Sequence, residues 1–331
     1  MARFAESTGA KFEMVDDFVV FTIVANNYLS YAKTLMNSVA AAHPKSRRFV
    51  VLCDELSDDI DYDIPAEILL AQDLGIDDFD RMAFVYDVME LSTALTPFTF
   101  LYMFDRFKAP GFLYIDPDII LLHPLKHIRE ALDDGHSMVL TPHIMKPLQD
   151  GLVPSDLTIM KSGVYNLGFL GVQAASECRG FIEWWADRCT RDAIVDIPEH
   201  KFTDQRWMDL APAFVSRCFI LRHPGYNLAY WNLLHRPVTE VNGDYRVGDE
   251  AIHFVHFSGV VPSDASAFSK HQTRFTVDTI GGLRPLFEDY VQRLQHNGWA
   301  ATHKVPYAYG LFSNGRKIHR TMRLSFRRHD D

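Results

Sequence analysis

Three short segments of this chain are apolar almost from end to end. Phe18-Val-Val-Phe-Thr-Ile-Val-Ala25, Phe49-Val-Val-Leu-Cys53 and Gly111-Phe-Leu-Tyr-Ile115 show no alternation of polar and apolar residues. Strands that read this way are buried on both faces, as in a mostly parallel sheet covered by helices on either side. The intervening segments agree. Tyr28 to Ala42 carries Leu29, Ala32, Leu35, Met36 and Val39 at helical spacing, and Asp77 to Phe107 reads as one or two helices broken near Pro97. Ile68 to Ala71 is a further short strand. In the second half Ser137–Thr141, Tyr165–Val172 and Ala251–Phe257 read as strands, with helices over Cys178–Thr190 and Gly281–Gly298. Alternating strand and helix predict the α/β class, a mixed sheet flanked by helices. With no repeat, low-complexity tract or linker, one body plus a C-terminal helical extension fits better than the two domains that 331 residues suggest.

Composition narrows the partners. Forty-seven per cent hydrophobic residues can fill a sizeable core, and 33 Lys+Arg against 43 Asp+Glu leave a formal charge of −10 that disfavours nucleic acid. The basic residues are partly segregated: Lys304, Arg316, Lys317, Arg320, Arg323, Arg327 and Arg328 lie in a stretch without an acid. Interspersed with Ile318, Met322, Leu324 and Phe326, they make the tail a candidate for an anionic membrane surface, or else for a surface helix packed on the body. Cys53, Cys178, Cys189 and Cys218 form no C-x-x-C pair and no metal spacing, which suits a reducing cytoplasm. The longest early apolar run has eight residues and follows Asp16-Asp17, so it is expected to be neither signal peptide nor membrane span.

The chain lacks G-x-G-x-x-G after a strand, a P-loop, H-E-x-x-H and G-x-S-x-G, which removes the main support for dehydrogenase, NTPase, zincin and hydrolase readings. Its sharpest positive feature is Asp116-Pro117-Asp118 at the carboxyl end of a buried strand, where open α/β sheets bind ligands. Two carboxylates one residue apart can share a hard divalent cation, and that cation can neutralise a diphosphate. The flanking Phe-Leu-Tyr-Ile and Ile-Ile-Leu-Leu make two uncompensated charges costly there. A haloacid-dehalogenase phosphotransferase also places D-x-D after a strand, but here three strands come first and Ile120 stands where that motif has Thr or Val.

Further motifs follow in order: Thr22-Ile-Val-Ala25-Asn26-Asn27-Tyr28, Phe112-Leu-Tyr-Ile-Asp116-Pro-Asp118, Tyr165-Asn166-Leu-Gly168-Phe169, Thr203-Asp204-Gln205 and His256-Phe-Ser-Gly259. Across roughly residues 18 to 262 the chain thereby resembles the retaining GT-A glycosyltransferases of the glycogenin and lipopolysaccharide galactosyltransferase type, glycosyltransferase family 8. The resemblance implies a Rossmann-like GT-A domain over residues 1–262 and an extension over 263–331. It implies Ala25, Asn26, Tyr28, Asp116, Asn166 and Gly168 as nucleotide-sugar contacts. Asp116, Asp118 and His256 would hold Mn²⁺ or Mg²⁺, and Asp204 and Gln205 would lie beneath the anomeric carbon. Each motif also has an ordinary reading: Asn166 as a turn amide, Asp204 as a helix cap, His256 as a core histidine. His253 is a rival ligand, but three residues away on a strand it faces the opposite side from His256.

The implied reaction moves a sugar from a nucleoside diphosphate donor, expected to be a UDP-sugar, to an acceptor hydroxyl with retention. Gln205 would support the anomeric carbon through its amide oxygen. The expected partners are the nucleotide-sugar donor and a glycan or glycolipid acceptor of bacterial polysaccharide assembly, with no nucleic acid. The expected location is the cytoplasm, peripheral on the inner face of the membrane. Trp207, Tyr226, Tyr230 and Trp231 are candidate acceptor-stacking residues, while Trp184-Trp185 reads as structural. Three positions depart from the family: Pro262 stands where a diphosphate-gripping Lys is usual, with Lys270 or His271 as replacements; Thr96 replaces a second Lys; and Thr141 and His143 lie where an Asp is common. A catalytically silent nucleotide-sugar-binding protein is the alternative that these departures keep open, beside a metal-dependent phosphotransferase.

Overall fold

The computed structural model describes residues 12–264 and 266–327. Strand β1 (Val19–Val24) leads through a single 3₁₀ turn into helix α1 (Leu29–Ala42), followed by β2 (Arg47–Leu52) and β3 (Glu67–Leu70). Side chains of β1 alternate between two cores: Val19, Phe21 and Ile23 join one hydrophobic layer, Val20 and Val24 the other. This is why the sequence shows no polar–apolar alternation there.

Three helices follow, α2 (Phe79–Val85), α3 (Val88–Ala94) and α4 (Thr96–Phe104). The break expected near Pro97 falls at Leu95, between α3 and α4, and Pro97 occupies the first turn of α4, where its missing N–H has no intrahelical partner to lose. Asp87 starts α3 with a capping box closed by Glu90. Then come β4 (Phe112–Ile115), β5 (Ile119–Leu121), α5 (Lys126–Asp133), β6 (Met138–Pro142), α6 (Asp156–Ser162), β7 (Tyr165–Val172), α7 (Ser176–Asp192) and β8 (Cys218–Ile220). The central sheet has the order β8-β6-β7-β4-β1-β2-β3 and is parallel except around β7, which runs antiparallel to both neighbours.

A hairpin of β9 (Val238–Val241) and β10 (Asp244–Val247) turns on Asn242-Gly243, both at positive φ. Strand β11 (Phe254–His256) lies outside the main sheet and pairs antiparallel with β5, placing His256 opposite Ile119. Helix α8 (Arg284–His296) packs Leu286, Phe287, Tyr290 and Leu294 into a core shared with Tyr31, Ile120, Val255 and Phe257. The segment after residue 262 thus buttresses the β5/β11 ribbon.

The basic helix α9 (Arg320–Arg327) lies on the body. Arg323 is buried and donates to the carbonyl oxygens of Ala83, Phe84, Tyr86 and Tyr309, capping the end of α2. Arg327 donates to Val85 O and pairs with Glu90. Arg316, Lys317 and Arg320 remain exposed, and Arg328 lies outside the described residues. Among the described residues no helix is long and apolar enough to cross a membrane.

Arg323→Met keeps the aliphatic stem and removes the donors, leaving buried carbonyls unpaired. It is expected to lower stability by about 2–3 kcal/mol in urea unfolding. The exposed control Arg320→Met changes it by less than about 0.5 kcal/mol. Equal effects from the two variants would show that the cap contributes nothing particular.

Candidate functional site

The carboxyl end of β4 opens into a cleft of about 720 Å³. Ala25, Tyr28, Asp116, Asp118, Asn166, Gly168, Asp204, Gln205 and His256 all line it, although they come from five separate stretches of sequence. The loop holding the two aspartates is pinned at both ends: Asp116 N donates to Gly168 O at 2.8 Å, and Phe257 N donates to Asp118 O at 2.9 Å.

At the base of the cleft His256 Nε2 lies 2.9 Å from Asp118 Oδ1 and 3.6 Å from Asp116 Oδ2. The orientation of that imidazole is fixed from behind. Its Nδ1 is 3.1 Å from Asn166 Oδ1, which also accepts from Gly168 N at 3.2 Å and Asn227 Nδ2 at 3.0 Å. An amide oxygen with three donors demands a proton on His256 Nδ1, leaving Nε2 as a lone pair in the neutral ring. Gly168 is required for this approach, because a Cβ there would stand 2.3 Å from His256 Cε1.

The donor set fits a divalent cation. One ligand atom from each of Asp116, Asp118 and His256 lies within 4.8 Å of the others, and Asp118 Oδ1 is buried against His256 Nε2. A buried carboxylate oxygen facing an imidazole nitrogen can share a cation with it once that nitrogen has given up its proton. Without a cation the charges disturb one another. Burial pushes the Asp116 carboxyl up to about 6, Asp118 adds to that, and His256 and the Tyr114 hydroxyl, 2.6 Å from Asp116 Oδ1, oppose it. Burial disfavours the His256 imidazolium, yet the Asp118 and Asp116 carboxylates outweigh burial and raise its pKa.

Asp204 does not cap the 3₁₀ helix Gln205–Leu210 that follows it. Its carboxyl is buried and accepts from Thr203 Oγ1 at 3.2 Å, while Trp185 Nε1 donates to the Asp204 backbone carbonyl at 3.0 Å. Burial, reinforced by Asp116, pushes Asp204 up to about 8. Thr96 faces this carboxyl, so no lysine neutralises it from there.

Gln205 is also differently engaged from the expectation. Its Oε1 accepts from Leu167 N at 2.9 Å and its Nε2 donates to Ser162 O at 2.7 Å, tying β7 to the end of α6. Asn26 is turned away from the cleft: its Nδ2 donates to Glu55 O at 2.7 Å and its Oδ1 accepts from Tyr62 at 2.7 Å. Asn27 lines the cleft in its place, and Tyr28 stacks on Tyr31 with ring centroids 4.5 Å apart. Of the four candidate stacking residues, Tyr230 and Trp231 line the cleft with Lys270 and His271. Trp207 packs against Trp184, and Tyr226 stacks on His253. Tyr114, Thr203 and His143, each within or beside a motif quoted above, support the site, and so does Asn227, which no motif included. Tyr114 was readable in principle, lying two residues before Asp116 on the same face of β4.

Seven strands in this order, with the ligand cleft at the carboxyl end of β4, make the GT-A fold of nucleotide-diphospho-sugar transferases. The structure of the galactosyltransferase LgtC in complex with donor and acceptor sugar analogues matches at a TM-score of 0.50 and 15% identity, over 87% of this chain and 97% of that one. At that identity the likeness is one of fold. No family model matches. Two proteins of Bacillus subtilis (strain 168) match in part: uncharacterized protein YfnF, 32% identical over 102 residues, 29% of this chain, and uncharacterized protein YfnD, 26% identical over 101 residues, 30% of this chain. The match spans about a third (32%) of the length of each of these curated relatives.

Asp204 gives a pH test in the presence of a chelator. The folded chain holds the Asp204 proton to about pH 8, whereas the unfolded chain releases it near pH 4. Folding therefore loses stability as pH rises between those values. Asp204→Asn escapes this loss, so its Tm relative to the parent rises by several degrees between about pH 5 and about pH 8.5. A pH-independent difference would show that Asp204 ionises normally.

Proposed function

We propose that the chain is a metal-dependent glycosyltransferase that moves a sugar from a nucleoside diphosphate donor to an acceptor hydroxyl. The observation that carries this reading is the convergence of Asp116 Oδ2, Asp118 Oδ1 and His256 Nε2 beneath a cleft whose other wall holds Asp204. Two carboxylates and one imidazole suit Mn²⁺ or Mg²⁺. When bound, the cation would supply Lewis-acid stabilisation of charge growing on the departing diphosphate. The residues around it do the rest. Asn166 fixes the His256 tautomer, Tyr28 offers an aromatic edge for the base, and Lys270 supplies a cation at the rim where Pro262 cannot.

Asp204, isolated from bulk water and from any lysine, faces the position of the sugar. As a neutral acid it can donate a hydrogen bond to a sugar oxygen, and as a carboxylate it would stabilise an oxocarbenium-like carbon. Gln205 acts by position, since its amide holds β7 against α6. Retention, a UDP-linked hexose and an acceptor in bacterial polysaccharide or lipopolysaccharide synthesis belong to the same proposal and rest on the family resemblance. Residues 1–262 form the catalytic unit in this reading, with 263–331 as the extension that supports the ribbon. A peripheral membrane contact from the cytoplasmic side would run through Arg316, Lys317 and Arg320 with Leu324 and Phe326, all exposed.

A screen of UDP-, GDP- and dTDP-sugars with and without Mn²⁺ tests the assignment. One donor is expected to raise Tm only with metal and to be turned over, with Asp118→Ala slowing turnover by about 10²-fold or more. Binding without turnover would favour the silent relative, and turnover of phosphate esters alone would favour the phosphotransferase.

A further inference from the structure

The geometry points to a second cation site on the opposite face of the β5/β11 ribbon, formed by His127, His223 and His253 and suited to a Zn²⁺-type metal with a structural role. Each residue offers one nitrogen, and the three lie within 4.8 Å of one another. They come from different elements: His127 from the first turn of α5, His223 from the loop after β8, and His253 from the residue before β11. Three imidazoles gathered from distant segments are a ligand set rather than a run of like residues.

His253 is the best prepared. It is buried, and its Nδ1 donates to Pro124 O at 2.7 Å, which leaves Nε2 as a lone pair. A backbone carbonyl on the far nitrogen is the usual way a metal-bound histidine is oriented. Burial lowers its pKa to about 4, and burial also lowers that of His127, so both stand neutral and ligand-competent at neutral pH. The groups facing them are His123, Lys126, Glu130, Tyr226 and Glu250. His127 Nδ1 lies 3.2 Å from the Tyr226 hydroxyl, which can donate or accept, so either tautomer is open to it.

His223 holds the remaining contacts. Its Nδ1 accepts from Gly225 N at 3.1 Å and its Nε2 is 3.0 Å from Glu250 Oε2. One of those two contacts gives way when His223 ligates: through Nδ1, the Nε2–H stays on Glu250, which then orients the ring from outside the site; through Nε2, Glu250 is freed to supply an oxygen as fourth ligand. Three imidazole nitrogens favour Zn²⁺, whereas the oxygen-rich Asp116/Asp118/His256 set favours Mn²⁺ or Mg²⁺. The two sites would thus select different metals from one strand. A cation here would tie α5 and the loop after β8 to the strand that carries His256.

The alternative is ring packing alone: His127 and His223 lie 4.4 Å apart, and His253 stacks on Tyr226 at 4.4 Å. Titration of the untagged full chain, stripped with chelator and held in excess Mg²⁺, decides between them. Calorimetry with Zn²⁺ is expected to give a single high-affinity equivalent and a rise in Tm. His223→Gln and His127→Gln, both at partly exposed positions, should each weaken zinc binding tenfold or more. Asp118→Asn should leave it intact. Co²⁺ should give the intense visible absorption of a tetrahedral site in the parent and lose it in His223→Gln. No stoichiometric zinc, zinc affinity unchanged in His223→Gln, or zinc affinity lost only in Asp118→Asn would each overturn the assignment.

Discussion

His256 reaches the two aspartates only because β11 pairs with β5 in one register, opposite Ile119. A slip of one residue would turn the imidazole to the other side of the ribbon. That register is secured by apolar residues: Ile120 and Val255 sit opposite each other in the core that α8 completes, while Ile119, Leu121 and Phe254 face the layer beneath α1. The site's most demanding contact, His256 against Gly168, is therefore held by packing that involves no functional group. Two carboxylates, a third buried acid and an imidazole are gathered where water is scarce. Such a cluster is stable only with protons or a cation to balance it.

What could be read from the sequence was local. The fully apolar strands specified the α/β class because burial on both faces leaves no room for polar alternation. Asp116 and Asp118 were visible because β4 runs directly into them. Asn242-Gly243, which turns the β9/β10 hairpin, is a local signal of the same kind. Helix α5 escaped because it is mostly polar, with only Ile128, Ala131 and Leu132 buried.

Side-chain direction was the part the sequence withheld. Asn166 and Gln205 occupy the expected strand and turn, but their amides are taken up by His256, Leu167 and Ser162, and no local pattern encodes partners that far away. The same holds for Asn26 and Asn27, adjacent in sequence, of which one faces Glu55 and Tyr62 and the other the cleft. The basic tail shows it on a larger scale. Its composition suits a membrane, yet Arg323 and Arg327 point inward to α2 and Glu90.

The most direct test of the central claim is to locate the cation. Crystals grown with MnCl₂ and UDP, measured at the manganese absorption edge, should show an anomalous peak bounded by Asp116 Oδ2, Asp118 Oδ1 and His256 Nε2, with diphosphate oxygens completing the coordination. Nucleotide bound in the cleft with no peak between those three atoms would contradict the account.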